Sequence, residues 1–508
     1  MTNKIKNNYI IYLIPFFLGI FSSFSLPPYN IIFINFITLS LLFYIYINNY
    51  QKGKCQSFFI GWFFGFGFFL SSLYWITNSL TFDDSLKNFI PFAFFLIPAF
   101  LGIFYGLITL ISFFFNLRKN YTSILIFSII FAIIEFLRGF IFGGFPWNLF
   151  VYSLIEYNYF IQILSLIGTH SLNLFVITIF LVPTIFLFKQ SIYSKLFVAV
   201  LTASFVILIY FYGLISINKF ETINKSDLDT KLKIISPKIA IERYYENNDP
   251  QKILNELAKL SKINKNEKTI FIYPEGILTG LDISELKLFQ KFFKDNYSEN
   301  HHIIMGLNSV DDDYIFNSMI ILDNNLKLIS KYDKNKLVPF GEFLPFESLL
   351  SKLGLKKITQ GYNSFSSGKE RKILEINDLS FLPLICYEII YSGKLNLKKK
   401  DYDFIVNISE DGWFKNSIGL DQHFAHSIFR AVEEGKNLIR AANNGTSAHI
   451  TPTGNVNDKI KSTDKGVIEI KNFKKTKKTL FSIHGNKLFF YFILIYISLI
   501  FFLKFIRR

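Results

Sequence analysis

A chain of 508 residues in which 51% are hydrophobic and 62 are phenylalanine is too apolar for an ordinary soluble protein and long enough for two or more domains. The net charge of +16 does not call for a nucleic-acid partner, because many of the basic residues flank apolar runs in the way that orients a membrane protein. Two cysteines, Cys55 and Cys386, are too few for a disulfide-stapled scaffold.

Apolar runs of spanning length, which takes about 20 residues, fall near 8–25, 30–48, 57–77, 89–115, 121–141, 158–188, 195–216 and 488–505. Each is read as one span. The start is read as the first of them rather than as a cleavable signal, since SSFSLPP is a weak cleavage match and the helical array continues. With that count Lys4, Lys52, Lys54, Arg118, Lys119, Lys189, Lys195 and Arg508 share one side, and only Lys87 and Arg138 occupy short loops on the other. Basic residues in short loops stay cytoplasmic, so both termini are expected inside. The expected division is 1–216 with seven transmembrane helices, an extracytoplasmic domain over 217–487, and 488–508 with the last helix and a basic tail. Cys55 and Cys386 then lie on opposite sides and cannot pair.

Inside the first part, Tyr74 and Trp75 in SLYWITNSL read as an interfacial aromatic belt. Glu135 and Arg138 in IIEFLRGF are three apart on a helix and read as a structural ion pair. In GGFPWNLF (143–150) two glycines and a proline break the helix beside Trp147, which points to a role with a lipid substrate.

The polar block alternates β-type runs with helical stretches, the pattern of a layered α/β or α+β domain. Strands are expected at 268–276, 301–310, 316–323, 379–388 and 402–409, and helices at 249–263 and 422–442. Three expected strand ends carry reactive residue types: Glu275 in YPEG, Lys334 in KYDKNKLVPFGE with Glu342 eight positions on, and Cys386 in FLPLICYE. A thiol with an ordinary pKa near 8.5 is a weak nucleophile at neutral pH until a base takes its proton. A neighbouring ammonium stabilises both thiolate and oxyanion. Singly, each residue also fits a solvated or core position. A pairing of Cys386 with His423 or His426, downstream in the same block, stays open on spacing alone. No metal-ligand spacing and no phosphate-binding glycine loop is present, so neither metal nor cofactor is expected.

Glu275, Lys334 and Cys386, in that order, resemble the Glu-Lys-Cys triad of the nitrilase superfamily. With LVPFGEFLP (337–345), CYE (386–388), NISEDGWF (407–414), RAANNGTSA (440–448), GGFPWNLF and the helical array, the chain resembles the bacterial apolipoprotein N-acyltransferase family. The resemblance implies an αββα sandwich, nitrilase-like, for the block and a location in the bacterial inner membrane with that domain on the periplasmic side. It implies that Cys386 takes an acyl chain from a phospholipid, phosphatidylethanolamine being the expected donor, and passes it to the N-terminal amine of a diacylated apolipoprotein. Glu275 would be the base and Lys334 the oxyanion-stabilising cation, while Glu342, Tyr387 and Glu388 would shape the pocket. One departure stands out: about 30 residues before the glutamate the family has a tryptophan, and this chain offers Tyr245, which keeps an aromatic face without the indole N–H. Two other readings compete: a membrane-tethered amidase acting on a soluble amide, and a transporter with an outer binding domain.

Overall fold

Backbone groups in an apolar medium have to be satisfied within the segment, and the phenylalanine- and isoleucine-rich runs accordingly form helices in the computed structural model. It describes residues 2–245, 249–345, 347–353, 357–358, 364–395 and 400–506. The chain divides into two compact units, one of Met1–Thr77, Asn88–Asn218 and His484–Arg508, the other of Asn78–Lys87 and Lys219–Ile483.

Among the described residues, six helical stretches are long and apolar enough to cross a membrane: Lys54–Thr81, Asp84–Phe113, Tyr121–Arg138, Leu164–Leu187, Ile192–Glu221 and Lys487–Phe505. This is a membrane protein. The remaining two expected spans are also helical, but Ile34–Asn49 has 16 residues and the apolar part of the first helix is confined to Tyr9–Ser23. The run 158–188 does not split into a helical hairpin; its main helix, Leu164–Leu181, bends where Gly168 leaves helical geometry at φ 74°. Glu135 and Arg138 do approach, at 3.8 Å, and both are buried. Tyr105 and Asn173 donate to the two oxygens of Glu135 at 2.9 and 2.5 Å, so the carboxylate is part of an interhelical polar knot. The belt reading fails for Trp75. It is 4% exposed, its indole N–H reaches the Ser72 carbonyl, and its ring lies 5.1 Å from that of Trp147.

The second unit contains two six-stranded sheets among the described residues. In chain order the strands of the first are β1 (Ser226–Ser236), β2 (Thr269–Ile272), β3 (His301–Asp311), β4 (Tyr314–Asp323) and β5 (Leu328–Asp333), with the late strand β12 (Gly466–Phe473) added beside β1. The second sheet runs β6 (Leu374–Ile376), β7 (Leu379–Ile385), β8 (Phe404–Glu410), β9 (Asn437–Asn443), β10 (Ser447–Ile450) and β11 (Val456–Ile460) in spatial order. β1, β2 and β3 are parallel neighbours, as are β7, β8 and β9. Parallel strands buried on both faces read as continuous apolar runs, and TIFI and FIVNIS are of this kind.

Apolar side chains from both sheets, among them Leu232, Ile272, Ile304, Ile385, Phe404 and Ile439, make one core between them. A second core packs the outer face of the first sheet against the helices Pro250–Ser261 and Gln290–Asn296 through Leu254, Leu257, Phe293 and Tyr297. The helix Gly419–Glu434 lies on β9 and β10. The result is an αββα sandwich. One expectation is corrected here: 422–442 is not a single helix. It stops at Glu434, where Gly435 takes the left-handed cap position at φ 63°, and Asn437–Asn443 continues as the central strand β9.

Candidate active site

The parallel strands β2 and β7 and the edge strand β5 end where the chemistry-bearing residues begin, which is where open α/β sheets present their sites. β2 ends at Ile272 and is followed by Tyr273, Pro274 and Glu275. The backbone of Glu275 runs so close to β3 that a Cβ on Gly306 would sit 2.5 Å from its Cα, so only glycine fits there. Lys334 directly follows β5, and its N–H donates to the Asn317 carbonyl at 2.8 Å. Cys386 directly follows β7 and opens the 3₁₀ turn Cys386–Ile390, with φ at 46°. A non-glycine residue in that region costs roughly 1–3 kcal/mol and persists only where its surroundings over-determine it.

Glu388 supplies much of that restraint. Its Oε2 accepts the Ile385 N–H at 2.9 Å. Its Oε1 accepts from the Tyr332 hydroxyl at 2.7 Å, from the N–H groups of Asn335 and Lys336 at 3.0 and 3.1 Å, and from Arg371 at 3.3 Å. One buried carboxylate therefore ties the turn holding Cys386 to the segment holding Lys334. It works as an anchor inside the fold, where the sequence reading has it shaping the pocket.

Lys334 is 1% exposed and its ammonium donates to Glu275 Oε1 at 3.2 Å and to Glu342 Oε1 at 3.0 Å. The Asn317 amide spans the same two oxygens at 2.7 and 2.8 Å. Glu275 Oε2 takes the Glu410 N–H at 2.9 Å, and Glu342 Oε2 the Val338 N–H at 2.8 Å. Burial works against the charge on Lys334, yet Glu275 and Glu342 outweigh it and hold the ammonium well above the usual lysine range. Burial, and after it the charge of Glu275, push the Cys386 thiol well above its ordinary value; Lys334 pulls it down and Asp411 adds to the rise. A thiol raised in this way keeps its proton to higher pH than an ordinary cysteine.

A second cluster also adjoins the sulfur. Atoms of Cys386, Asp411 and His423 lie within 4.8 Å of one another. Asp411 bonds His423 Nδ1 at 3.0 Å and Arg440 Nη2 at 2.7 Å, and the Ser409 hydroxyl donates to it at 2.7 Å. Burial opposes the charge of Asp411, but Arg440 and His423 hold it well below the usual carboxylate range. Burial keeps His423 below the ordinary histidine value despite Asp411. His426 is buried and pushed lower still, first by burial and then by Arg430.

The structure thus brings together Glu275, Lys334, Glu342, Cys386 and Glu388. Tyr387 is buried beside them and packs edge-on to Tyr391 at 5.5 Å. Tyr245 stands apart from the charged groups, stacked on Phe82 at 6.3 Å, edge-on to Trp413 at 6.4 Å, and donating through its hydroxyl to the Ile358 carbonyl at 3.1 Å. Trp147 belongs to the first unit, stacked on Phe145 at 5.9 Å. Sequence reasoning assigned no role to Asn317, Ser409, Asp411 or Arg440. Asn317 lies with Ser318 just before the apolar run MIIL of β4, and the other three lie in NISEDGWF and RAANNGTSA, segments marked only by resemblance.

A helical membrane unit joined to a two-sheet domain with this carboxylate, lysine and cysteine arrangement defines a membrane-bound member of the nitrilase class. Residues 241–471 match the carbon-nitrogen hydrolase family, and residues 18–182 match the apolipoprotein N-acyltransferase N-terminal domain. An apolipoprotein N-acyltransferase of Rickettsia prowazekii is 32% identical over 485 residues, covering 92% of this chain and 93% of that protein. One of Brucella melitensis is 29% identical over 484 residues, covering 90% and 88%. A CN-hydrolase superfamily protein of Xanthomonas campestris, known from its crystal structure, is 14% identical with a TM-score of 0.36, covering 48% of this chain and 90% of that one. The chain belongs to the apolipoprotein N-acyltransferase family.

Proposed function

We propose that this protein is an acyltransferase that moves a fatty acyl chain from a phospholipid to the α-amino group of an S-diacylglyceryl-cysteine at a lipoprotein N-terminus, through a thioester on Cys386. The observation that carries the mechanism is the pair of carboxylates, Glu275 and Glu342, sharing the buried Lys334 beside the raised thiol. In the first step Glu275 takes the Cys386 proton as sulfur attacks the ester carbonyl, and Lys334 stabilises the oxyanion. Collapse breaks the ester C–O bond; the leaving oxygen recovers the proton from Glu275 and departs as lysophospholipid. In the second step the lipoprotein amine attacks the thioester carbonyl and gives up a proton to Glu275. The C–S bond breaks, and sulfur takes that proton back. Every proton is returned, which suits a reaction in which neither substrate is oxidised.

Phosphatidylethanolamine is the donor we favour, and a bacterial inner membrane with the catalytic unit on the periplasmic side is the orientation the basic loops support. Cys55 is exposed, so an impermeant thiol reagent should leave it unlabelled in intact cells until the inner membrane is opened; labelling from outside would overturn the orientation.

The chemistry is tested on the purified protein exposed to phospholipid alone. Intact-mass analysis should find one added acyl group, removable by neutral hydroxylamine, mapped to a Cys386 peptide and discharged by a diacylated lipopeptide with a free amine. An adduct that persists in Cys386→Ala, or hydrolysis of small soluble amides without release of lysophospholipid, would sink this reading.

A further inference from the structure

Lys334 holds one oxygen of Glu275; the other accepts the backbone N–H of Glu410, and the carbonyl of the next residue, Gly276, is held by Arg243, the ion-pair partner of Glu410. Arg243 lies in the turn Ile241–Tyr244 after β1, and Glu410 is the last residue of β8. The two side chains form an ion pair, each 1% exposed. Arg243 donates through Nε and Nη2 to the Gly276 carbonyl at 3.2 and 3.0 Å, and through Nη1 to the Ala240 carbonyl at 3.0 Å. The Glu410 N–H reaches Glu275 Oε2 at 2.9 Å. The Glu410 carboxylate accepts from the Gly412 N–H at 2.8 Å and from Asn443 at 2.7 Å, and Asn443 in turn donates to the Ile239 carbonyl at 2.8 Å. Both ends of the grip are thus fixed to the frame of the sandwich. An ion pair buried to this depth is weak evidence for stability, since apolar residues of the same volume often do as well. Two of its contacts instead bracket the Glu275 carboxylate: the Glu410 N–H on Oε2 and Arg243 on the carbonyl of the next residue, Gly276.

We propose that Arg243 and Glu410 are positioning residues for acyl transfer, together fixing where the Glu275 carboxylate points and the charge balance in which it takes the thiol proton. This rests on the reading of Glu275 as the base. The pair is well placed to set that balance. The groups facing Glu275 are Lys334 and Glu342 from the segment after β5, Cys386 from the turn after β7, Arg243 and Tyr244 from the turn after β1, and Glu410 from β8. Among these Arg243 and Lys334 are the two cations, and they act on Glu275 from separate elements. Tyr244 adds a neutral hydroxyl on the same Gly276 carbonyl at 3.3 Å, its ionisation suppressed first by burial.

The test is the pH dependence of acyl-thioester formation, measured by intact mass per folded molecule, in three variants. Glu410→Gln keeps the shape and the backbone N–H but leaves the arginine charge unbalanced, which favours ionised Glu275. The acid limb of its profile should move to lower pH by roughly 0.5–1 unit, less than the 1–3 units of a directly touching charge. Arg243→Met leaves Glu410 negative, so its limb should move up and its plateau rate fall. In the double variant Arg243→Met/Glu410→Gln no charge is stranded. Its limb should return toward that of the unaltered protein while the rate stays low, because the grip on the Gly276 carbonyl is gone. If Arg243→Met fails to accumulate, the other two decide. A purely structural pair would lower the yield of folded protein and leave limb and rate where they were, and that outcome overturns the proposal. Glu275→Gln separates the two levels: if it forms the thioester at the full rate, the base assignment itself is wrong, whatever the pair does.

Discussion

Two buried charge clusters act on the Cys386 sulfur, and they differ in their balance of charge. In one cluster Glu275 and Glu342 share the single cation Lys334. In the other the single carboxylate of Asp411 is shared by Arg440 and His423. Both clusters are rich in hydrogen bonds and both are shielded from water. The first has one more carboxylate than it has cations. In the second, Arg440 and His423 hold Asp411 below the usual carboxylate range against the opposing effect of burial, and His423 is held neutral with Nδ1 engaged by the aspartate. A histidine beside a cysteine invites the reading of a Cys-His pair. Here the histidine is already engaged by Asp411 and sits in the helix Gly419–Glu434, and it is the glutamates that we propose as the proton acceptors.

The largest effect that can break this comparison is in the two candidate bases. Glu275→Gln should lower thioester formation by about 10²–10⁴, the usual contribution of a positioned general base. His423→Gln should cost no more than about tenfold per folded molecule, the scale of one disturbed hydrogen bond. Single-turnover acylation followed by mass analysis compares them directly. Equal losses would mean that the proton leaves toward His423 and that the two clusters have been assigned the wrong way round.

A smaller but still large effect distinguishes Lys334 from a near neighbour. Lys334→Ala should cost on the order of a hundredfold, as the loss of a transition-state donor does. Lys331 is part of β5, pairs with Asp333 at 3.1 Å and has a side chain 26% exposed. Its replacement by alanine should stay within about fivefold, the worth of a surface ion pair. Similar losses at both positions would show that the cation acts through the general field of the segment and not through contact.

Glu275 and Cys386 are legible at the ends of β-type runs, Glu275 between a proline and a glycine, whereas Lys334, one of many lysines, is singled out by its spacing to LVPFGE, which belongs to the resemblance. The helical character of the first unit was legible from composition, and six of the eight expected runs form helices of spanning length. What the sequence hid is mostly contact at long range. Arg243 and Glu410 are 167 residues apart and each reads as an ordinary surface charge until the sandwich closes. β9 was missed because NLIRAAN continues the helical spacing of the segment before it, and only Gly435 marks the stop. Trp75 was taken for a belt residue because its neighbours fit one; its burial against Trp147 depends on the broken segment around Gly143 and Gly144, whose path the sequence does not encode.

The finest test of the contrast between the clusters uses the sulfur as its own reporter. Glu275 and Asp411 both raise the Cys386 thiol, Glu275 the more strongly of the two, while Lys334 lowers it. A raised thiol keeps its proton to higher pH, so removing a raising charge lowers the pKa and increases the thiolate fraction at any pH below it. Thiolate is the species that reacts with iodoacetamide. At pH 8, Glu275→Gln should therefore be alkylated at Cys386 several-fold faster than the unaltered protein, since each unit of pKa is worth about tenfold in thiolate below both values. Asp411→Asn should accelerate alkylation too, but less. The same Glu275→Gln that slows acyl transfer would thus quicken alkylation, a pair of opposite signs that loss of folding cannot produce. Slower alkylation in Glu275→Gln would mean that the resting site already holds a thiolate stabilised by its neighbours, and that the carboxylate-rich cluster does something other than wait for a proton.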